Sequence, residues 1–310
     1  MTTLRVLAVP ALWSDETGVP GWLPEVSRMA ARAALWYRTG SYGKTELVFD
    51  VGSPVMIGAP IASTAGGATF NALAARMHAM GYDLGRYDRF VYFTSRNQTV
   101  GFKGLNWGVG SWINCMGSDY APFSLIHELG HSLGLAHPRT VTVGTWAART
   151  LTLPPLSVTA GGMKQDLYDK STSMGFEATF TEFAAYQKAA IPAQYGGPWI
   201  VPATYDGSDR TFTLKPLREP GGACYAVRVP MAQFVASSHR VYWLEYRTDT
   251  GGEDGVQLRL ESDFGAGRVP SHVNPGPGFQ TGDRITDGTL VVDVVAAGVV
   301  RLRKTASSSK

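Results

Sequence analysis

The residues best equipped for chemistry lie in one stretch of eleven, His127-Glu128-Leu129-Gly130-His131-Ser132-Leu133-Gly134-Leu135-Ala136-His137. On a helix, positions i and i+4 share a face, so His127 and His131 can aim ring nitrogens at a single ion. Glu128 stands one residue round from that face. Its carboxylate reaches a water on the ion rather than the ion itself, which is the place of a general base. A helix continued past Gly134 would carry His137 away. Glycine takes the left-handed conformation that ends a helix and turns the chain back, so His137 becomes a third ligand and a fourth position stays open. The chemistry such a set performs is hydrolysis by a metal-activated water. Three imidazoles with an open position suit one catalytic Zn²⁺ best. At about one in twenty per fixed position, the five fixed residues coincide on the order of once in 10⁴ chains of this length. Chance is a poor account of them.

This extended motif resembles that of the metzincin zinc peptidases. The resemblance demands a methionine-bearing turn downstream. Tyr168-Asp169-Lys170-Ser171-Thr172-Ser173-Met174-Gly175 supplies one, with Met174 thirty-seven residues after His137. A methionine gives three imidazoles a polarizable floor without competing as a ligand. Core packing is the other use for any one of the nine methionines. The run from Asp169 to Gly175 is similar to gametolysin-type peptidases, whose stretch reads Tyr-Gly-Asp-x-Ser-x-x-Met-Gly, although the glycine between Tyr and Asp is missing here. Astacin-like and serralysin-like relatives carry a ligand tyrosine two residues after the methionine. Phe176 stands at that position, so no tyrosine ligand is expected from it.

The resemblance implies a zinc endopeptidase acting on a protein or peptide substrate. His127, His131 and His137 would hold the zinc, and Glu128 would take the proton of the attacking water and pass it to the leaving amine. Gly134 and Met174 would shape the site. Asp169 would hydrogen-bond the methionine turn or a ligand histidine, and Tyr168 and Tyr186 are the nearby tyrosines able to assist the ion. The resemblance further implies that Gly110, Ser111, Trp112, Ile113 and Asn114 form the cleft's edge strand, offering backbone groups to an extended substrate. Packing of Trp107 and Trp112 under a loop is the competing use. A rival reading is a particle-associated or adhesion protein whose metzincin-like domain mainly binds a protein or glycan. Glu128 argues against it, since a binder needs no base. Zinc hydrolysis of a non-peptide amide is a third.

These residues need a fold to hold them. Of 310 residues, 44% are hydrophobic and 17% charged, enough for a sizeable core and too little charge for a disordered chain. The formal charge of +3 is spread along the sequence, which gives no nucleic-acid groove. No apolar run is long enough to span a membrane. The first ten residues read as a buried strand and lack the build of a signal peptide. The family resemblance nevertheless implies a secreted or particle-associated setting, with a monomer unless the chain is built into a particle. Cys115 and Cys224 can bridge or remain thiols, and the missing export signal favours thiols. No EF-hand-like or repeated Asp pattern marks a calcium site.

Periodicity predicts strands at 4–10, 46–51 and 89–94, and helices at 23–38 and 69–80. A loop is expected at 54–67. The first helix should bury Val26, Met29, Ala30, Ala33 and Trp36. Pro122 should open the zinc helix, with Phe123, Leu125, Ile126, Leu129 and Leu133 inward. Residues 138–167 read as irregular, and Thr179-Phe180-Thr181-Glu182 as a capping box opening a helix to Ala190. After Pro198 the texture changes to alternating runs at 211–217, 224–229, 240–247, 256–261 and 290–303. Val241-Tyr242-Trp243-Leu244-Glu245-Tyr246-Arg247 is similar to a segment of the β-domain that follows gametolysin-like catalytic domains. His78, His239 and His272 read as packing or surface residues. The expected class is α+β. A metzincin-type domain over 1–197 would have a mostly parallel sheet, an active-site helix, the methionine turn and a C-terminal helix. A β-sandwich or jelly roll would follow over 198–310.

Overall fold

The computed structural model describes residues 1–14, 22–57, 66–95, 104–118, 120–142, 144–153, 164–167, 169, 171–175, 181–233, 240–248, 254–261, 271–273 and 278–305. It is a mixed α+β fold with many strands and few helices. The chain divides into two compact units, Met1–Leu135 with Ile191–Gly197, and Ala136–Ala190 with Pro198–Lys310. Residue 197, the expected domain boundary, is one point where the chain changes unit. Residues 136–190 group with the strands that follow Pro198.

The first unit runs β1 (Thr2–Leu12), α1 (Trp22–Gly40), β2 (Thr45–Val51), β3 (Val55–Met56), α2 (Gly66–Ala79), β4 (Arg89–Ser95), β5 (Gly104–Trp107), β6 (Gly110–Met116) and α3 (Ala121–Ser132). Its sheet has the order β2-β1-β4-β6-β5, with β3 added beside β1. Every pairing is parallel except that of β5 with β6. Such sheets need apolar strands, and Val6, Leu7, Ala8 and Val9 of β1 are all buried. Helix α1 buries Val26, Met29, Ala30 and Ala33 as its spacing predicts. Tyr37, 0% exposed, is the innermost aromatic where Trp36 was expected. Residues 191–197 return to this unit. Thr45 donates its hydroxyl to Tyr195 O at 2.6 Å, and a side chain at Gly196 would meet Lys44 O at 2.5 Å.

The second unit begins where irregular chain was expected. Residues after His137 form β7 (Arg139–Thr142), β8 (Thr145–Ala147), β9 (Thr150–Thr152) and β10 (Lys164–Leu167). The β8–β9 hairpin turns on Ala148 and Arg149, at φ +44° and +67°. Two-residue turns of this hand favour Asn-Gly, so this one carries no sequence signal. Helix α4 (Ala185–Ala190) is shorter than expected. Ala184 and Ala185 donate their N–H groups to Gln187 Oε1 at 2.9 Å and Glu245 Oε2 at 2.6 Å. The helix therefore opens at Ala185, residues 181–184 before it are not helical, and Thr179 and Phe180 of the expected cap lie outside the described residues.

The later strands are β11 (Ala203–Thr204), β12 (Arg210–Thr213), β13 (Ala226–Pro230), β14 (Val241–Arg247) and β15 (Gly255–Glu261). They continue as β16 (Ser271–Val273), β17 (Arg284–Thr286), β18 (Leu290–Ala296) and β19 (Val299–Lys304). The expected single run at 290–303 is a hairpin, turned at Gly298 with φ +66°. The strands form two mainly antiparallel sheets, β10-β7-β16-β15-β14-β13-β11 and β12-β19-β18-β17-β9-β8. Between them Val227, Leu244 and Leu258 of one sheet meet Phe212, Val292 and Leu302 of the other in a continuous core.

Candidate metal centre

Helix α3 is buried almost all round, which fixes its rotation. Pro122 stands in its first turn, and Phe123, Leu125, Ile126, Leu129 and Leu133 are all buried. Two neighbours hold it in place. Tyr37 of α1 donates its hydroxyl to Ile126 O at 2.9 Å. Arg89 of β4 donates to Ser132 Oγ at 3.0 Å and Ser132 O at 2.8 Å, putting a cation at the negative end of the helix dipole. Its guanidinium also lies 4.7 Å from the Tyr195 ring centroid.

The helix ends in a Schellman turn. Gly134 takes φ +90°, its N–H donates to His131 O at 2.9 Å, and Leu135 N–H donates to Gly130 O at 3.1 Å. Its own chain neighbours apart, no atom of the described residues lies within 4 Å of where a Gly134 Cβ would be, so conformation and not space calls for the glycine. Past this turn the donor atoms of His127, His131 and His137 lie within 4.8 Å of one another. The Nε2 atoms of His127 and His131 are 3.2 Å apart. Two nitrogens on a tetrahedral Zn²⁺ at about 2.0–2.1 Å stand about 3.3 Å apart, so the pair fits such an ion. His131 Nδ1 sits 2.7 Å from Leu135 O. A carbonyl can only accept, so Nδ1 carries the proton and Nε2 keeps its lone pair for a metal. Burial lowers the His131 pKa against the opposing effect of that hydrogen bond, which favours the neutral ring.

Glu128 is 5% exposed, and burial raises its pKa to about 8. Its carboxylate has no hydrogen bond or ion pair among the described residues. What it does have is a close backbone. A Cβ placed on Gly104 of β5 would lie 2.5 Å from Glu128 Oε1.

The expected edge strand requires correction. Gly110, Ser111, Trp112 and Ile113 of β6 pair with β4 on one side and β5 on the other. All five residues from Gly110 to Asn114 are buried. Trp112 Nε1 donates to Thr94 Oγ1 at 2.9 Å, and Thr94 Oγ1 donates to Asn114 Oδ1 at 2.9 Å. The terminal strand of the sheet path is β5, whose Trp107 is 60% exposed. Its two-residue turn carries Gly108 at φ +63°.

In the second unit the methionine turn is a buried polar loop. Met174 is 0% exposed. Asp169 Oδ1 accepts from Ser171 N at 2.9 Å and Ser171 Oγ at 2.6 Å. Of the two partners expected for Asp169, the turn is the one it bonds. Its other contacts were not foreseen. Arg259 Nη1 donates to Asp169 Oδ2, and His272 Nδ1 is 3.3 Å from Asp169 Oδ1. Burial alone would raise this carboxyl, but Arg259 and His272 outweigh it and hold the pKa far below the usual range. Arg259 also donates to Glu245 Oε1 at 2.9 Å, and Arg247 lies 3.5 Å from the same oxygen. Gly175 is forced by space, since a Cβ there would collide with Asp169 O.

Tyr186 packs edge-on to Trp243 at 6.5 Å, and its buried hydroxyl has no hydrogen-bond partner among the described residues. Tyr168, Phe176 and His239 lie outside the described residues. His78 is exposed, while His272 is buried in the Asp169 network. Cys115 and Cys224 form no disulfide among the described residues. No helix among the described residues is long and apolar enough to cross a membrane.

No family model and no curated protein matches the sequence. Among solved structures, a chaperone–substrate complex matches 63% of this chain and 30% of its own, at 16% identity and TM-score 0.33. Wild-type OgpA from Akkermansia muciniphila matches over 84% of this chain and 73% of that one, at 14% identity and TM-score 0.40. Catalytically inactive OgpA in complex with an O-glycopeptide substrate, glycodrosocin, matches over 84% and 72%, at 12% identity and TM-score 0.40. Likenesses this shallow carry no argument about chemistry.

Proposed function

We propose that this chain is a zinc-dependent endopeptidase of the metzincin type. The observation that carries the reading is the meeting of three imidazole donors within 4.8 Å, two on the helix and one past its end, beside a buried glutamate with no ion pair among the described residues. A divalent ion held by His127, His131 and His137 supplies Lewis acidity toward a carbonyl and a water. The stretch from Asp169 to Gly175 adds the likeness to gametolysin-type peptidases.

In this reading Glu128 is the general base. Its dry surroundings make it more basic than an exposed carboxylate, so it accepts a proton from the attacking water and returns it to the leaving amine. His131 keeps one tautomer through Leu135 O, which holds its free nitrogen in place. Strand β5 takes over the role first assigned to residues 110–114. As the terminal strand, it offers backbone groups to an extended peptide. The substrate class is protein or peptide, and the setting secreted or particle-associated.

The test is cleavage profiling of a peptide library by the full chain, by Glu128→Ala and by a chelator-treated sample. Wild type should cleave, and Glu128→Ala should be slower by roughly 10²–10⁴-fold. Chelation should abolish cleavage, and zinc should restore it. A wild type that cleaves nothing under any metal loading rejects the reading. Equal cleavage by Glu128→Ala rejects the mechanism.

A further inference from the structure

Gly104 opens β5 and pairs across the hairpin with Ile113. Its φ lies outside the left-handed region, so an alanine suits its backbone. The space beside it does not. A Cβ would stand 2.5 Å from Oε1, 2.7 Å from Cγ and 2.9 Å from Cδ of Glu128. All three clashing atoms belong to one side chain. The missing methyl is therefore tied to the carboxylate and to nothing else within that range.

We propose that Gly104 is a positioning residue for Glu128, its bare backbone forming the wall against which the carboxylate rests. The inference rests on the hydrolytic reading of Glu128 for its consequence and on the geometry alone for its substance. Glu128 has no ion pair or hydrogen bond among the described residues to fix its rotamer, so steric confinement is what remains. An added methyl would push the carboxylate off its place while leaving the three imidazoles and the terminal strand's hydrogen-bonding groups where they are. The expected kinetic sign is a fall in kcat with little change in KM.

Two measurements on the full-length chain decide it. The first is thermal melting of the metal-free protein with Gly104→Ala made in the wild type and in Glu128→Ala. Overpacking should lower Tm by roughly 3–8 °C in the wild type. With the carboxylate gone, the same change should be neutral within about 1 °C or slightly stabilising. Equal losses in both backgrounds overturn the proposal. If Gly104→Ala does not fold alone but folds with Glu128→Ala, the coupling is shown at its strongest.

The second measurement is steady-state cleavage. Gly104→Ala should lose roughly 10–100-fold in kcat with KM within about twofold. Glu128→Asp, which withdraws the carboxylate by one methylene, should be no slower with Gly104→Ala than without it. Wild-type kcat in Gly104→Ala, or additive losses with Glu128→Asp, overturn the positioning role. A wild type that cleaves nothing defeats the hydrolytic reading itself, while melting still upholds or overturns the placement.

Discussion

Glu128 and Asp169 are both carboxylates taken out of water, at 5% and 0% exposure, and their surroundings drive them in opposite directions. Glu128 lies against the backbone of Gly104. With no cation paired to it among the described residues, burial raises its pKa to about 8. Asp169 loses as much solvent but gains Arg259, His272 and the Ser171 turn, and stays ionised far below ordinary acid pH. Burial alone does not make an acid reactive or structural. Partners decide: the paired carboxylate braces a loop, and the unpaired one keeps a proton affinity near neutrality.

The largest expected effect lies on the paired side. Asp169→Asn leaves Arg259 short of a buried counter-charge and should cost roughly 3–5 kcal/mol at pH 7 in denaturant titration. Because the folded pKa of Asp169 is depressed, its stabilisation is present above the unfolded value near 4 and is lost as pH falls. The gap between variant and wild type should therefore narrow in acid. A loss under about 1 kcal/mol at pH 7 would show that the ion pair does not hold the turn.

Glu128 should show the reverse sign in the metal-free protein. Its folded pKa is raised to about 8, so its favourable contribution is complete below the unfolded value near 4.5 and is lost as pH climbs through 8. Gln does not titrate. Between pH 4.5 and 8 the stability difference should therefore move toward Glu128→Gln by roughly 2–4 kcal/mol. Melting curves at several pH values in chelator read this directly, and parallel pH profiles for the two proteins would break the contrast. The smallest effect belongs to the backbone arm of the first region. Gly134→Ala meets no atom and should cost about 1 kcal/mol, for the left-handed φ alone. A loss above about 3 kcal/mol would mean that packing, and not conformation, sets that turn.

What could be read from the sequence was local. The spacing of His127, His131, Gly134 and His137 spans one helix end, and helix geometry converts it directly into position. Residues whose meaning depends on topology stayed hidden. Gly104 matters because β5 passes over Glu128, twenty-four positions later in the chain. Arg259 and His272 reach Asp169 across separations of 90 and 103 residues, and as isolated charges in alternating strands they look solvated. The edge role of residues 110–114 came from the metzincin resemblance, which gives that place to the strand before the zinc helix, and the Gly-, Asn- and Trp-rich chain before them carries no sign of the further strand β5. The strands between His137 and Asp169 were missed because Ala148 and Arg149 turn a hairpin without glycine or asparagine.

The Schellman turn has one more consequence. All three imidazoles come from eleven consecutive residues, and the widest interval between neighbouring donors is six positions, His131 to His137. The entropy of bringing ligands together grows with the chain between them, so this set closes at little cost beyond forming a helix and its end. Most of the local concentration of the third donor comes from Gly134 and not from the long-range assembly of sheets. On the proposed reading, ion capture would need the helix and its end and not the pairing of β14 with β15.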